Sequence, residues 1–245
     1  MKYSIGLKTD PGPKTRNEDT MLAVVPTEQR DTVLLVVADG MGGANAGDLA
    51  SREAVNVLHA QLIEKGAPER DTAAERLVEA IKLANVSVYE HSQSSPDLDG
   101  MGSTVVAALI LKDSFWVAHV GDSRAYLIRG GEPRQITEDH TWVRSQVRDG
   151  KITQEQADRL HMNHVLDRAL GPDSAVNVDV WADDTLEPGD VLVLCSDGLS
   201  GVVTPERIAA VVADNTAQQA AETLVNIALA EGTRDNVSAI VFRFH

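Results

Sequence analysis

The chain has 245 residues, with 22 Lys and Arg against 37 Asp and Glu, and a formal net charge of −15. So large an excess of acid disfavours nucleic-acid or anionic-lipid partners, which need a basic surface. The single cysteine, Cys195, excludes disulfides and thiolate metal sites and is expected to be buried. The longest apolar run, Val105–Leu111, is too short to span a membrane. We therefore expect a cytoplasmic, monomeric, single-domain protein.

Nine apolar runs, taken in chain order, have the residue pattern of β-strands. They are Tyr3–Leu7, Met21–Val25, Thr32–Ala38, Thr104–Leu111, Phe115–Val120, Ala125–Ile128, Val178–Trp181, Val191–Cys195 and Val237–Phe244. Helical periodicity appears in three other segments. These are Ala50–Leu58, Leu77–Val88 and Ala220–Ala228. Two further helix starts are predicted at Thr204-Pro205 and at Thr153, where Gln156 completes a capping box.

The order of these elements indicates the fold class. Strands come first, then two helices, more strands, a polar helical insert at about 139–168, strands again, two helices and a last strand. Grouped helices argue against a doubly wound parallel sheet. Runs that are apolar at every position, such as Val33–Ala38, should be covered on both faces. We expect an α+β fold in which two antiparallel sheets pack face to face with helix pairs outside.

Five short acidic motifs are spread along the chain, and three of them directly follow a predicted strand. They are Asn17-Glu18-Asp19, Asp39-Gly40-Met41-Gly42-Gly43, Gly121-Asp122-Ser123-Arg124, Ser196-Asp197-Gly198 and Arg234-Asp235-Asn236. Strand ends are fixed points in a fold, so these carboxylates can converge. Carboxylate clusters bind hard cations such as Mg²⁺ and Mn²⁺. A Walker A loop is excluded because no Gly-Lys-Ser/Thr is present. An aspartyl-phosphate enzyme of the haloacid dehalogenase type would need a second Asp where Met41 stands.

Taken in this order, the motifs resemble the metal-dependent protein phosphatases of the PPM, or type 2C, family, especially its compact bacterial members. The resemblance covers residues 5 to 241. It implies a four-layer α-β-β-α sandwich formed by residues 1–245, with a flap at about 144–167 beside the active site. It also implies hydrolysis of phosphoserine and phosphothreonine in proteins, the products of a cytoplasmic serine/threonine kinase.

The resemblance assigns the acids unequal roles. Asp39 would bridge two Mg²⁺ or Mn²⁺ ions, one of them also bound by the Gly40 carbonyl, while Asp197 and Asp235 complete the other. Glu18 and Asp19 would act mainly through metal-bound waters, Asp122 would hold a third, weaker ion together with Asp197, and Asn236 would orient Asp235 or a water. Two divalent cations outweigh three carboxylates, so the site would attract a phosphate dianion. A metal-bridging water, acidified to hydroxide, would attack phosphorus.

The chain departs from the family pattern at two positions, those of the phosphate anchor and of the proton donor. Family members usually grip the substrate phosphate with an arginine, and here that position holds Lys14, with Arg16 two residues further on. Lysine lacks the bidentate fork of arginine, so either residue is a candidate anchor. Met41 stands where many eukaryotic relatives have a proton-donating histidine, which makes His164 in the insert the candidate general acid.

Two alternative functions use the same sequence. A non-catalytic pseudophosphatase would act as a binding module, but such proteins typically lose a metal-binding acid and this chain keeps all of them. Hydrolysis of a small phosphorylated metabolite would use the same chemistry on another substrate.

Overall fold

A computed structural model describes residues 1–27, 31–42, 46–160, 162 and 165–245, apart from the side chains of Asp158 and Asp183. Gly43 and His164, both named above, lie outside the described residues. Within the described part of the chain, no helix is long and apolar enough to cross a membrane.

The described residues form the following strands and helices. The strands are β1 (Tyr3–Asp10), β2 (Asp19–Val24), β3 (Thr32–Met41), β4 (Gly102–Ser103), β5 (Val105–Leu111), β6 (Ser114–Val120), β7 (Arg124–Arg129), β8 (Glu132–Gln135), β9 (Asp179–Thr185), β10 (Val191–Cys195) and β11 (Val237–Phe244). The α-helices are α1 (Ala46–His59), α2 (Ala73–Ser92), α3 (Trp142–Arg148), α4 (Gln154–Arg159), α5 (Asp197–Ser200), α6 (Pro205–Asp214) and α7 (Ala217–Ala230).

The strands form two antiparallel sheets. One has the order β1-β11-β10-β7-β8 and the other β2-β3-β5-β6-β9, with β4 paired to β3. The expected two-sheet architecture is therefore confirmed.

Three apolar layers account for the strands that are hydrophobic at every position. Leu34 and Val36 of β3 face α1 and α2, whereas Val33 and Leu35 face the other sheet. Successive strand residues point to opposite faces, so a strand covered on both sides must be apolar throughout. Strand β10 is likewise covered on both faces, and its buried Cys195 faces α6 and α7. The result is an α-β-β-α sandwich.

The main differences from the predicted elements are at strand ends. All nine predicted strands are present, but β3 continues three residues past Ala38 to include Asp39, Gly40 and Met41. Asp39 and Gly40 therefore belong to the strand that their motif was expected to follow. Strand β8 was missed because Glu132–Gln135 is a short, polar edge strand that contains a proline.

The polar insert contains the two short helices α3 and α4. They are separated at Gly150, whose φ of +69° favours glycine. Helix α3 begins at Trp142, inside the insert predicted at about 139–168, because Thr141 caps it. Thr141 also bridges to Leu166. The predicted caps at Thr204 and at Thr153, with its capping box, are both present.

Candidate metal centre

Four strands bring the predicted acids to one edge of the sandwich. Asp39 near the end of β3 lies directly opposite Asp19 at the start of β2. Asp197 begins α5 immediately after β10, and Asp235 lies two residues before β11. Since β10 and β11 are paired, these two acids reach the same place.

Asp39 is held by its backbone, which leaves its carboxyl free for other contacts. Its N–H donates to Thr104 Oγ1 at 3.0 Å, and its carbonyl accepts from Thr104 N at 2.8 Å and Ser103 Oγ at 3.0 Å. The residue is half-buried, and protein atoms surround its carboxyl closely. That burial, followed by the charges of Asp19 and Asp197, raises the pKa of Asp39 well above its usual range.

Asp19 is braced on one oxygen only. Its Oδ2 accepts hydrogen bonds from Ser196 Oγ at 2.8 Å and Ser238 Oγ at 2.7 Å. Its Oδ1 is buried and has no hydrogen-bond partner among the described residues. Burial is the largest cause that raises the pKa of Asp19 to about 7. One oxygen of Asp19 thus holds the sheet edge together while the other remains available to a cation or a water.

Asp197 also has a buried oxygen, Oδ1, with no hydrogen-bond partner in the described part of the chain. Its carboxyl is within hydrogen-bonding reach of Asp39 when one of them is protonated. Burial and the nearby Asp235 raise its pKa. A Cβ on the next residue, Gly198, would lie 1.9 Å from Asn236 O, so only glycine lets α5 approach β11 this closely.

Asp235 is the more exposed member of the cluster. Its Oδ1 accepts a hydrogen bond from the backbone N–H of Asn236 at 2.8 Å. The Lys14 ammonium lies 2.9 Å from the same oxygen and 3.1 Å from Oδ2. Lys14 therefore reaches the acid cluster from the loop that precedes β2.

The side chain of Asn236 fixes that loop through three hydrogen bonds. Its Nδ2 donates to the carbonyls of Pro11 and Arg16, each at 2.8 Å, and its Oδ1 accepts from Glu18 N at 2.8 Å. Only the backbone N–H of Asn236 contacts Asp235. Asn236 thus contacts Asp235 through its backbone, while its side chain positions the loop that carries Lys14 and Glu18.

Glu18 lies where β3 meets α1. Its carbonyl accepts from Gly40 N at 3.1 Å, and a Cβ on Gly47 would lie 2.7 Å from its Oε1. A Cβ on Gly40 would in turn lie 2.0 Å from Gly47 O. The absence of side chains at these two glycines therefore lets α1 pack against the Asp39 strand. Burial is the main cause that raises the pKa of Glu18.

Asp122 joins the cluster from the β6–β7 connection. It is buried, and burial together with the charge of Asp197 raises its pKa to about 7. Gly121 before it has a φ of +105° and packs against Thr104. Ser123 after it shares a 2.7 Å hydrogen bond with Thr104 Oγ1.

The arrangement fits a divalent cation on chemical grounds. Several carboxyls here have raised pKa values, and two of them carry buried oxygens with no hydrogen-bond partner among the described residues. Such carboxyls are costly to ionise side by side. A cation bound between them would offset that repulsion. Within the described residues, no three Asp, Glu, His or Cys side chains are already arranged around one point to hold an ion. Ion binding would therefore draw these side chains together.

The fold thus brings most, but not all, of the predicted site residues together. Asp19, Asp39, Asp122, Asp197 and Asp235 influence one another electrostatically, and Lys14 contacts the last of them. Arg16 is exposed and contributes its backbone carbonyl to the loop. Sequence reasoning missed the supporting roles of Thr104, Ser196 and Ser238, whose hydroxyls hold the acids. Single hydroxyl residues in a strand or beside its end carry no signal that could have found them.

Comparison with known proteins agrees with this geometry. A family model described as Protein phosphatase 2C matches residues 13–232. The serine/threonine phosphatase stp of Listeria monocytogenes is 36% identical over 210 residues, which are 85% of this chain and 83% of that protein. The structure of the S. agalactiae serine/threonine phosphatase superposes with a TM-score of 0.91 at 31% identity, covering 100% of both chains. The catalytic domain of the serine/threonine protein phosphatase PstP, in complex with two manganese ions, gives 0.82 at 33% identity, covering 98% of this chain and 97% of that one.

The fold and the acidic cluster are those of a metal-dependent phosphatase. The chain belongs to the protein phosphatase 2C family.

Proposed function

We propose that this chain hydrolyses phosphoserine and phosphothreonine in proteins, with Asp39, Asp197 and Asp235 as its direct metal ligands. The observation that carries the proposal is a pair of buried oxygens, on Asp19 and Asp197, that have no hydrogen-bond partner within the described part of the chain. They lie beside the carboxyl of Asp39, whose pKa is raised well above its usual range. Such a cluster is stable when ionised only if cations lie between its members.

The protein's own groups have distinct tasks in this proposal. Asp39 and the Gly40 carbonyl would hold one Mg²⁺ or Mn²⁺, and Asp39, Asp197 and Asp235 a second. Asp122 would take part in a third, weaker site. When bound, the ions would lower the pKa of water and neutralise the phosphate charge. Asp19 keeps β10 and β11 in place through Ser196 and Ser238, so that Asp197 is presented at a fixed position.

Lys14 is the proposed phosphate anchor. Its ammonium already lies at the acid cluster on Asp235, on a loop that Asn236 fixes. A substrate phosphate would offer Lys14 a second partner close to where it stands. Arg16 remains the alternative anchor because it lies in the same loop, two residues after Lys14, and is exposed.

The identity of the proton donor remains a prediction. His164 is the proposed general acid for the leaving serine or threonine alkoxide, and it lies outside the described residues. A water molecule held in the site would be able to serve in its place.

The proposed substrates, compartment and oligomeric state are those expected from the sequence. Phosphoproteins made by a serine/threonine kinase in the cytoplasm are the proposed substrates, and the chain would act as a monomer. Its net charge of −15 gives no basis for nucleic-acid binding.

The deciding experiment is hydrolysis of p-nitrophenyl phosphate and of a phosphothreonine peptide with Mn²⁺, with and without chelator. The wild type should turn over both substrates only with metal, and Asp39→Asn should turn over neither. Absence of turnover with every divalent metal would indicate a pseudophosphatase. Turnover of p-nitrophenyl phosphate and small phosphate esters, but of no phosphopeptide, would indicate a metabolite phosphatase.

A further inference from the structure

His140 lies at the base of the insert, where the insert meets the loop that carries Asp122. It follows β8 and directly precedes Thr141, which caps α3. The residue is 3% exposed. A polar ring enclosed this completely needs partners that account for both of its nitrogens.

Two hydrogen bonds join His140 to Gly121. The backbone N–H of His140 donates to Gly121 O at 3.0 Å, and Gly121 N donates to the ring Nδ1 of His140 at 3.1 Å. A nitrogen that accepts a backbone N–H carries no proton, so the neutral ring must carry its proton on Nε2. The ring therefore acts as an acceptor for the residue immediately before Asp122.

The other side of the ring faces a small polar cluster. Nε2 lies 3.4 Å from Asp179 Oδ2, a long contact, and has no closer hydrogen-bond partner among the described residues. Asp179 is itself held by Arg168 at 2.7 Å. His119 stacks on His140 with ring centroids 4.5 Å apart, and its Nε2 donates to Glu138 O at 2.7 Å. Burial and the neighbouring His119 lower the pKa of His140 to about 4, which agrees with a neutral ring.

The same residue begins the stem of the insert. The carbonyl of His140 accepts from Asp167 N at 2.8 Å, Thr141 bridges to Leu166, and Trp142 N donates to Val165 O at 2.7 Å. These contacts join the two ends of the insert. His140 is thus the point at which that stem is fastened to the body of the protein.

Hydrogen bonds and the backbone of residues 121–123 together connect His140 to the acid cluster. Gly121 positions Asp122, Ser123 shares a hydrogen bond with Thr104 Oγ1, and Thr104 Oγ1 accepts from Asp39 N. The Asp122 loop therefore has two supports, one at Thr104 in the core and one at the His140 ring.

We propose that His140 is a positioning residue that ties the stem of the insert to residues 121–123 and thereby sets the affinity of the cation site at Asp122. The inference rests on the proposed role of Asp122 as a metal ligand. It predicts that the Asp122 site depends on the acceptor at Nδ1 and not on the proton at Nε2.

Two nearly isosteric substitutions separate these ring functions. In His140→Asn the side-chain oxygen can take the place of Nδ1 and still accept from Gly121. In His140→Gln the side-chain amide can take the place of Nε2 while the acceptor for Gly121 is lost. Asp179→Asn, which alters the partner of Nε2 but leaves Gly121 untouched, is the matched control.

Mn²⁺ binding is measured by isothermal titration calorimetry, with Asp122→Asn identifying the weak step in the wild-type titration. His140→Gln should weaken that step tenfold or more, whereas His140→Asn and Asp179→Asn should stay within threefold of wild type. The tighter steps should be unchanged in all variants. Equal weakening of all steps, or an unchanged weak step in His140→Gln, would overturn the proposal.

A second measurement needs only the wild type, in case His140→Gln does not fold. Coupling between two sites is reciprocal, so filling the weak site should slow hydrogen exchange at the Gly121 and Asp167 amides. No change at these amides over the Mn²⁺ range of the weak step would contradict the proposal, as would a wild type with no step that Asp122→Asn removes. A wild type that binds no Mn²⁺ at all would instead refute the proposed function.

Discussion

The Lys14 ammonium straddles the carboxylate of Asp235, 2.9 Å from Oδ1 and 3.1 Å from Oδ2. Its hydrogen bond to Asp235 is the largest cause that raises the pKa of Lys14. The same carboxylate is a proposed metal ligand. Lys14 and a divalent cation would therefore compete for Asp235, while the substrate phosphate would attract both.

Replacement of Lys14 by glutamine should change substrate and metal dependence in opposite directions. Loss of a charge-assisted contact to phosphate should lower kcat/KM for a phosphopeptide by about tenfold to a hundredfold. Removal of the competing ammonium should lower the Mn²⁺ concentration needed for half-maximal activity. Stability should change by less than about 1 kcal/mol because both partners are largely exposed.

Arg16→Gln is the matched control for this prediction, since Arg16 lies in the same loop. Its kcat/KM should stay near that of the wild type. A large loss in Arg16→Gln together with wild-type behaviour in Lys14→Gln would transfer the anchor to Arg16.

Asp39→Asn should abolish turnover and yet stabilise the metal-free protein. Its carboxyl is costly to ionise because burial and neighbouring acids raise its pKa, and a neutral amide removes that cost. Thermal unfolding in chelator should give a higher Tm for the variant than for the wild type. Mn²⁺ at a hundred times its Kd should stabilise the wild type by about 2.7 kcal/mol and the variant far less. Equal stabilisation of both proteins by Mn²⁺ would exclude Asp39 as a ligand.

The stability of the metal-free protein should depend on pH through Asp122. Its pKa is raised to about 7, so the folded state holds a proton that the unfolded state has lost above about pH 4. The stabilisation from this proton is complete below about pH 4 and is lost as pH rises through 7. Between these values the wild type should lose up to about 1.4 kcal/mol per pH unit relative to Asp122→Asn.

Denaturant unfolding of both proteins in chelator at pH 5, 6, 7 and 8 measures this difference. The gap in unfolding free energy should widen in favour of Asp122→Asn up to about pH 7 and then remain constant. A gap that does not vary with pH would show that Asp122 is ionised in the folded protein throughout the range.

The sequence was sufficient for the layers and the acids but not for the contacts that hold them. Apolar runs such as Val191–Cys195 identify buried strands because both faces of each strand are covered. The strand was predicted to end at Ala38 because the apolar run stops there and glycine usually weakens a strand. Gly40 nevertheless belongs to β3, and glycine is required there because a Cβ would collide with Gly47 of α1. No local sequence pattern reports this tertiary contact.

The contacts that support the site could not be predicted from the sequence either, because they join residues far apart in the chain. Asn236 contacts Pro11, Arg16 and Glu18, all more than 200 positions away. His140 lies in the segment predicted as a polar insert, yet it is buried where that insert meets the loop that carries Asp122. Such contacts follow only from the packing of the two sheets.

Asn236→Ala should disturb both stability and phosphate binding, since one buried amide holds three backbone groups of the Lys14 loop. The substitution leaves those groups without partners, and each buried unsatisfied group costs about 1–3 kcal/mol. Water entering the loop would satisfy part of the loss, so we expect about 2–4 kcal/mol in denaturant unfolding. The loosened loop should also raise KM for a phosphopeptide.

Asn236→Asp should be at least as destabilising, because its carboxylate can accept from Glu18 N but would face the Pro11 and Arg16 carbonyls without a proton to donate. Wild-type stability in Asn236→Asp would mean that only the bond to Glu18 matters.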